Sequence, residues 1–150
     1  MNKILSNYEE IIKQIELCKN KSALKYDNPK LIAVSKRFSK DKIQKLVDIG
    51  HRVFGENQVQ EAHSKWIDLK KENEEKKLEL HLIGPLQSNK VKLALDVFDV
   101  IQTLDREKVA IKIQKYLEEV NAVNSKKFLI QVNIGEEKQK SGLEINATKQ

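Results

Sequence analysis

The sequence predicts a parallel α/β fold, and three observations carry that prediction. Short apolar runs rich in Val, Ile, Leu and Phe recur five times along the chain. Between them the apolar residues repeat at three-to-four spacing, the period of an amphipathic helix. The connections are short, and such alternation is the pattern of consecutive βαβ units. Right-handed crossovers leave two main architectures, a doubly wound sheet or a β/α barrel. No Gly-x-Gly-x-x-Gly or Walker-type loop follows any strand, which disfavours the nucleotide-binding sheets. A complete barrel has eight strands and typically ~250 residues. The 150 residues here offer five strands.

The elements follow in order. Ile4, Tyr8, Ile11, Ile12, Ile15 and Cys18 mark one face of an opening helix. The loop Tyr26-Asp27-Asn28-Pro29 leads to a strand at Leu31 to Ser35. Ser39 is placed as the N-cap of a helix that buries Ile43, Leu46 and Val47, with Gly50 closing it. Arg52 to Gly55 is a second strand, and Val59, Ala62, Trp66 and Leu69 form the stripe of the next helix. A charged run from Lys70 to Lys77 ends it. Leu78 to Ile83 is a third strand, stopped by Gly84-Pro85. Ser88 then caps a helix burying Val91, Ala94, Leu95 and Phe98. Val100 to Thr103 is a fourth strand. Asp105 leads a helix with Val109, Ile113, Tyr116, Leu117 and Val120 on one side, and Lys127 to Ile134 is a fifth strand. The tail from Gly135 to Gln150 is polar and without strong period.

Composition narrows the classes. Hydrophobic residues make up 39% and charged residues 33%, which reads as a polar, globular, soluble chain. No apolar run reaches the ~20 residues of a membrane span, and the start has no signal-peptide core. The single cysteine, Cys18, cannot form an internal disulfide, which fits a cytoplasmic location, and its helical face predicts packing. No pair of Cys or His residues has zinc-like spacing. The net charge of +6 raises nucleic acid as a partner. Only Arg37, Arg52 and Arg106 are arginine, the lysines alternate with acidic residues, and aromatics are 5%. A solvated lysine surface is the better reading, and no nucleic-acid partner is expected.

One lysine stands apart. Lys36 closes the run Leu31-Ile32-Ala33-Val34-Ser35-Lys36 immediately before a helix start. That order places an amine at the C-terminal end of a strand, the face where β/α barrels keep their active sites. An amine held there can attack an aldehyde to form an imine, and pyridoxal phosphate is the natural aldehyde partner. On these residues alone, an ordinary surface lysine after a strand remains the alternative.

Four blocks extend the argument. They are Ala33-Val34-Ser35-Lys36, then Phe54-Gly55-Glu56-Asn57-Gln58-Val59-Gln60-Glu61. His81-Leu82-Ile83-Gly84-Pro85-Leu86-Gln87-Ser88-Asn89-Lys90 is the third, and Ile130-Gln131-Val132-Asn133-Ile134 with Lys140-Ser141-Gly142 is the last. In this order and spacing they resemble the YggS/PROSC family of pyridoxal phosphate (PLP) homeostasis proteins, over most of the chain from Leu31 to Leu143. The resemblance implies a TIM-type β/α barrel similar to the N-terminal domain of alanine racemase. Here it would be a single domain over residues 1–150, truncated to about five βα units and incomplete at its C-terminus. It implies a non-catalytic protein that holds PLP as a Schiff base on Lys36, buffers it in the cell and can deliver it to PLP-dependent apoenzymes.

The resemblance also suggests neighbours for Lys36. Asn57, where the second strand becomes a helix, is expected to contact the cofactor, with a plain N-cap as its alternative. Glu56 is expected to brace the loop. His81 points away from Leu80 and Leu82, either towards the ligand or into a hydrogen-bonded core position. Asn133 can face inward on the fifth strand. Lys140 is a candidate second amine near the mouth, or a solvated loop lysine. Two alternatives stand beside this reading. A racemase needs a base on each face of the α-carbon, and no tyrosine lies in a matching position. A fragment that binds nothing is the other, because the family's Ser- and Gly-rich phosphate cradle and its ring-facing arginine have no counterpart in this sequence.

Overall fold

Five parallel strands run side by side in sequence order: β1 (Ala33–Val34), β2 (Val53–Glu56), β3 (Glu79–Leu82), β4 (Val100–Leu104) and β5 (Lys127–Ile130). The computed structural model describes residues 3–21, 29–123, 125–137 and 139–149. Helices α1 (Lys3–Lys21), α2 (Lys40–Asp48), α3 (Val59–Glu72), α4 (Val91–Val97) and α5 (Glu107–Glu119) alternate with the strands. Register runs Ala33 to Phe54, Phe54 to Leu80, Gly55 to His81 and His81 to Val100. The expected parallel α/β order is therefore present. Among the described residues β1 and β5 form the two edges of the sheet.

The period-two alternation of the strands decides where the core lies. Phe54, Leu80, Leu82 and Ile101 face the helices and are fully or almost fully buried. They meet Ile43 and Val47 of α2, Trp66 and Leu69 of α3, Ala94 and Leu95 of α4, and Val109, Ile113 and Leu117 of α5. Each large apolar side chain so buried contributes about 1.5–3 kcal/mol. His51 meets Phe54 edge to face and Phe54 meets Trp66 at a tilt, with ring centroids 5.0 Å apart at each step. Among the described residues, Val34, Gly55, His81 and Gln102 of the opposite sheet face are not part of that helix-packed core.

Several expectations are corrected. The apolar face of α1 is not buried: no α1 side chain is fully covered, and Ile11 is 44% exposed. Helices α2 to α5 already fill the helix side of the sheet, so α1 is left beside the first strands. There Tyr8 meets His51, Oη to Nδ1 at 3.1 Å. Cys18 is exposed rather than packed. Tyr26, Asp27 and Asn28 of the first loop lie outside the described residues. The first strand is shorter than Leu31 to Ser35 because its ladder with β2 engages only Ala33 and Val34. The fifth ends at Ile130 instead of Ile134. Beyond the Gln131 N–H bond to Leu104 O, 2.9 Å, β4 offers no further partner. Val132 instead bridges Leu143.

The caps also differ in detail. Ser39 occupies the N-cap of α2 with extended backbone, but its hydroxyl caps nothing. Ser88 opens a 3₁₀ turn, Ser88–Lys90, and α4 starts only at Val91. Arg106, not Asp105, is the N-cap of α5, and Val120 is 48% exposed at its end. The close of α2 agrees with expectation. Gly50 N–H bonds Val47 O at 3.1 Å and His51 N–H bonds Leu46 O at 2.9 Å, with Gly50 at φ 96. That is a Schellman ending, which needs a left-handed residue.

Candidate functional site

Parallel strands all end on one edge of the sheet, and that edge collects the singled-out residues. Lys36 follows β1 by two residues and Asn57 follows β2 by one. Because Val34 pairs with Gly55, Lys36 and Asn57 follow adjacent strand ends. Lys36 is exposed and has no hydrogen-bond or ion-pair partner among the described residues. Its backbone forms the second position of a turn closed by Phe38 N–H to Ser35 O at 3.1 Å. Arg37, the third position, has φ 63. Turns that need a positive φ there usually carry Gly or Asn, and a larger residue stores of order 1–3 kcal/mol of strain.

Ser35 is buried, and its Oγ donates to Glu56 Oε1 at 2.7 Å. Trp66 Nε1 donates to the same oxygen at 3.0 Å, and Lys65 Nζ lies 2.7 Å from it. Glu56 is expected to brace the loop; it faces the helix layer and ties the end of β1 to α3. Glu61 Oε1 accepts the Arg37 N–H at 2.5 Å and a bond from Lys65 at 3.2 Å. The Arg37 N–H above all, helped by Lys65 and Arg37 charge, holds the Glu61 carboxyl below its ordinary value against a smaller opposing effect of burial.

The loop after β3 closes on Asn57. A Cβ at Gly84 would stand 2.2 Å from Asn57 O, so only glycine permits this approach. Thr103 Oγ1 donates to Gly84 O at 2.6 Å and Arg106 Nη2 to Leu86 O at 3.1 Å, which fix the loop from β4. A cleft of about 350 Å³ opens between this loop and the segment after β5. Asn133, Lys140, Thr103, Gln131 and Ser141 line it. Asn133 Nδ2 donates to Glu137 O at 3.0 Å, and the exposed Lys140 is paired with Glu137.

His81 lies inside β3, 7% exposed, with both ring nitrogens engaged. Its Nε2 donates to Glu79 Oε1 at 2.7 Å, since a carboxylate only accepts. Its Nδ1 meets Gln102 Nε2 at 2.8 Å. Lys30 Nζ also reaches Glu79 Oε1, at 2.6 Å. Burial alone would raise the Glu79 carboxyl. The hydrogen bonds and charge of Lys30 and His81 outweigh it and bring the group down from 4.5 to about 2.

By strand register Lys36 and Asn57 follow adjacent strand ends along one edge, while Asn133 and Lys140 line one cleft that neither Lys36 nor Asn57 lines. His81 sits below that edge in a hydrogen-bonded row. Sequence reasoning missed Lys65 and Glu61. A signal was present: Lys65 interrupts the stripe Ala62, Trp66, Leu69, where a lysine needs partners to be buried.

Comparisons with known proteins agree with the parallel α/β fold. No family model matches the chain. A pyridoxal phosphate homeostasis protein of Vibrio cholerae is 40% identical over 146 residues, covering 96% of this chain and 60% of the relative. One of Escherichia coli is 36% identical over 146 residues, with 97% and 61% covered. Among solved structures, an unknown protein from Bifidobacterium adolescentis superposes with TM-score 0.86 at 26% identity, over 97% of this chain and 60% of that one. PipY of Synechococcus elongatus, solved with PLP bound, superposes with TM-score 0.65 at 30% identity, over 88% and 57%. The chain spans about 60% of the length of the curated relatives it matches. Over the roughly 60% of their length that it spans, the chain is similar in sequence to the pyridoxal phosphate homeostasis proteins and in fold to PipY.

Proposed function

We propose that this chain binds pyridoxal 5′-phosphate without catalysing a reaction on it, as part of intracellular PLP homeostasis, and that Lys36 is the residue joined to it as a Schiff base. The observation that carries the reading is Lys36 itself. It is an exposed amine without a partner among the described residues, on a turn fixed from β2 and α3, at the C-terminal edge of a parallel sheet. PipY, a structural relative, holds PLP.

The residues present supply an amine for the aldehyde end of such a group. When bound, it supplies an electrophilic aldehyde and an anionic phosphate. Lys36 supplies the nucleophilic nitrogen, one water leaves as the carbon–nitrogen bond forms, and hydrolysis or exchange with another amine reverses it. Asn57 offers an amide at the adjacent strand end, while Asn133 and Lys140 offer a donor and a cation in the cleft. His81 supports the sheet face behind them. The two described tyrosines are engaged elsewhere, Tyr8 with His51 and Tyr116 with Asp96 at 3.3 Å, which supports binding over racemisation.

In this reading residues 1–150 form one domain, five βα units of a TIM-type barrel, and PLP-dependent apoenzymes receive the cofactor. Among the described residues no helix is long and apolar enough to cross a membrane, which supports a cytoplasmic setting. The test is a visible-absorption titration of the chain with PLP. Wild type gives a saturable imine band and Lys36→Ala gives none while unfolding at a similar temperature. A stoichiometric band in Lys36→Ala would assign the link to another residue.

A further inference from the structure

The turn that carries Lys36 is held more firmly than a surface turn requires. Lys65 of α3 is 8% exposed, and four acceptors surround its Nζ, the nearest being Glu56 Oε1 at 2.7 Å. Nζ donates to Ser35 O at 3.0 Å and Phe38 O at 3.2 Å, the two ends of the turn, and to Glu61 Oε1 at 3.2 Å. Glu61 Oε1 takes the Arg37 N–H from the middle of the same turn. Ser35 is tied to β2 as well, N–H to Gly55 O at 2.9 Å and Oγ to Glu56. Every residue of the turn except Lys36 is thus bonded to a neighbouring element.

Burying an ammonium is a costly way to fill a helix stripe, and a methionine of similar length packs without that cost. Beyond its 2.7 Å pair with the buried Glu56, the ammonium reaches two backbone carbonyls 27 and 30 positions earlier in the chain. Arg37 is held at a left-handed φ of 63, a conformation that persists only where the surroundings over-determine it. Glu61 and Lys65 are those surroundings. We propose that Lys65 and Glu61 are positioning residues for Lys36, clamping the Ser35–Phe38 turn so that its amine meets a carbonyl ligand in one orientation. The inference rests on Lys36 being the PLP-linked residue.

Two variants test it without depending on one fold. In Glu61→Ala the acceptor for Arg37 is lost at a partly exposed helix position. In Lys65→Met/Glu56→Gln both buried charges go together, a replacement that buried ion pairs commonly tolerate. Each variant and wild type is titrated with PLP, trapped with borohydride and mapped by peptide mass, and amide deuterium exchange is followed in the unliganded proteins. Expected are weaker labelling of Lys36, by about fivefold in Glu61→Ala and at least about tenfold in the double variant. Faster exchange at Arg37 and Phe38 is expected too, with the α3 amides around Trp66 unchanged. A purely structural role would slacken the α3 amides together with the turn. Wild-type labelling of Lys36 and unchanged exchange at Arg37 and Phe38 in either folded variant would overturn the clamp. If wild type itself labels elsewhere than Lys36, the functional reading has failed and the clamp has no such role.

Discussion

Gly84 sets the distance between the loop after β3 and the strand end that carries Asn57. A methyl there meets backbone, not a movable side chain, with Asn57 O at 2.2 Å and its carbonyl carbon at 2.8 Å. Gly84→Ala is therefore expected to cost about 1–3 kcal/mol, read as a lower unfolding midpoint in urea. Glu79 makes a second prediction, in acid. Its folded carboxyl lies at about 2 and its ordinary value is 4.5, so the stability it contributes is present above pH 4.5. That stability is lost as pH falls through 2. Glu79→Gln should flatten the acid limb of the stability profile between those values and leave its neutral region with a small change. Solvent screening of a side chain 25% exposed keeps the effect near 1 kcal/mol or below. Lys36 was legible as a residue because nothing else in the sequence ends an apolar run on an amine before a helix. The partners of its turn were not, since Lys65 and Glu61 act through backbone atoms some thirty and twenty-four positions away.

At the scale of elements, amphipathic period and strand alternation placed all five helices and all five strands in order. Their ends moved wherever a partner decided them. β5 stops where β4 stops, and β1 is as long as its ladder with β2, neither of which is written in the local residues. The serine caps failed in chemistry, not position: Ser39 stands at the N-cap of α2 without using its hydroxyl. Gly50 was legible because a Schellman ending selects glycine directly. A Cβ at Gly50 would meet nothing within 4 Å, so Gly50→Ala isolates the backbone cost of φ 96. The expected loss is about 1 kcal/mol, measured by thermal unfolding, with no change elsewhere in the amide spectrum. The opening helix shows the limit of periodicity. Its apolar stripe is real in the sequence, but packing depends on what covers it, and Tyr8 with His51, just before β2, is one polar tie.

Across the whole molecule, one face of the sheet is packed by α2 to α5 and the other carries the polar row of Glu79, His81 and Gln102. The candidate edge lies where both faces end, and four singled-out residues from three of the blocks are spread along it. Lys36 and Asn57 arrive through strand register, and Asn133 and Lys140 through the segment after β5. The chain covers about 60% of its curated relatives, so the binding capacity of these residues is the central claim to test. The most direct measurement is borohydride trapping of the chain with one equivalent of PLP, followed by quantitative peptide mapping. The account predicts a single dominant label on the peptide containing Lys36, approaching one per chain. Label spread thinly over many of the lysines, with Lys36 no richer than the rest, would contradict it.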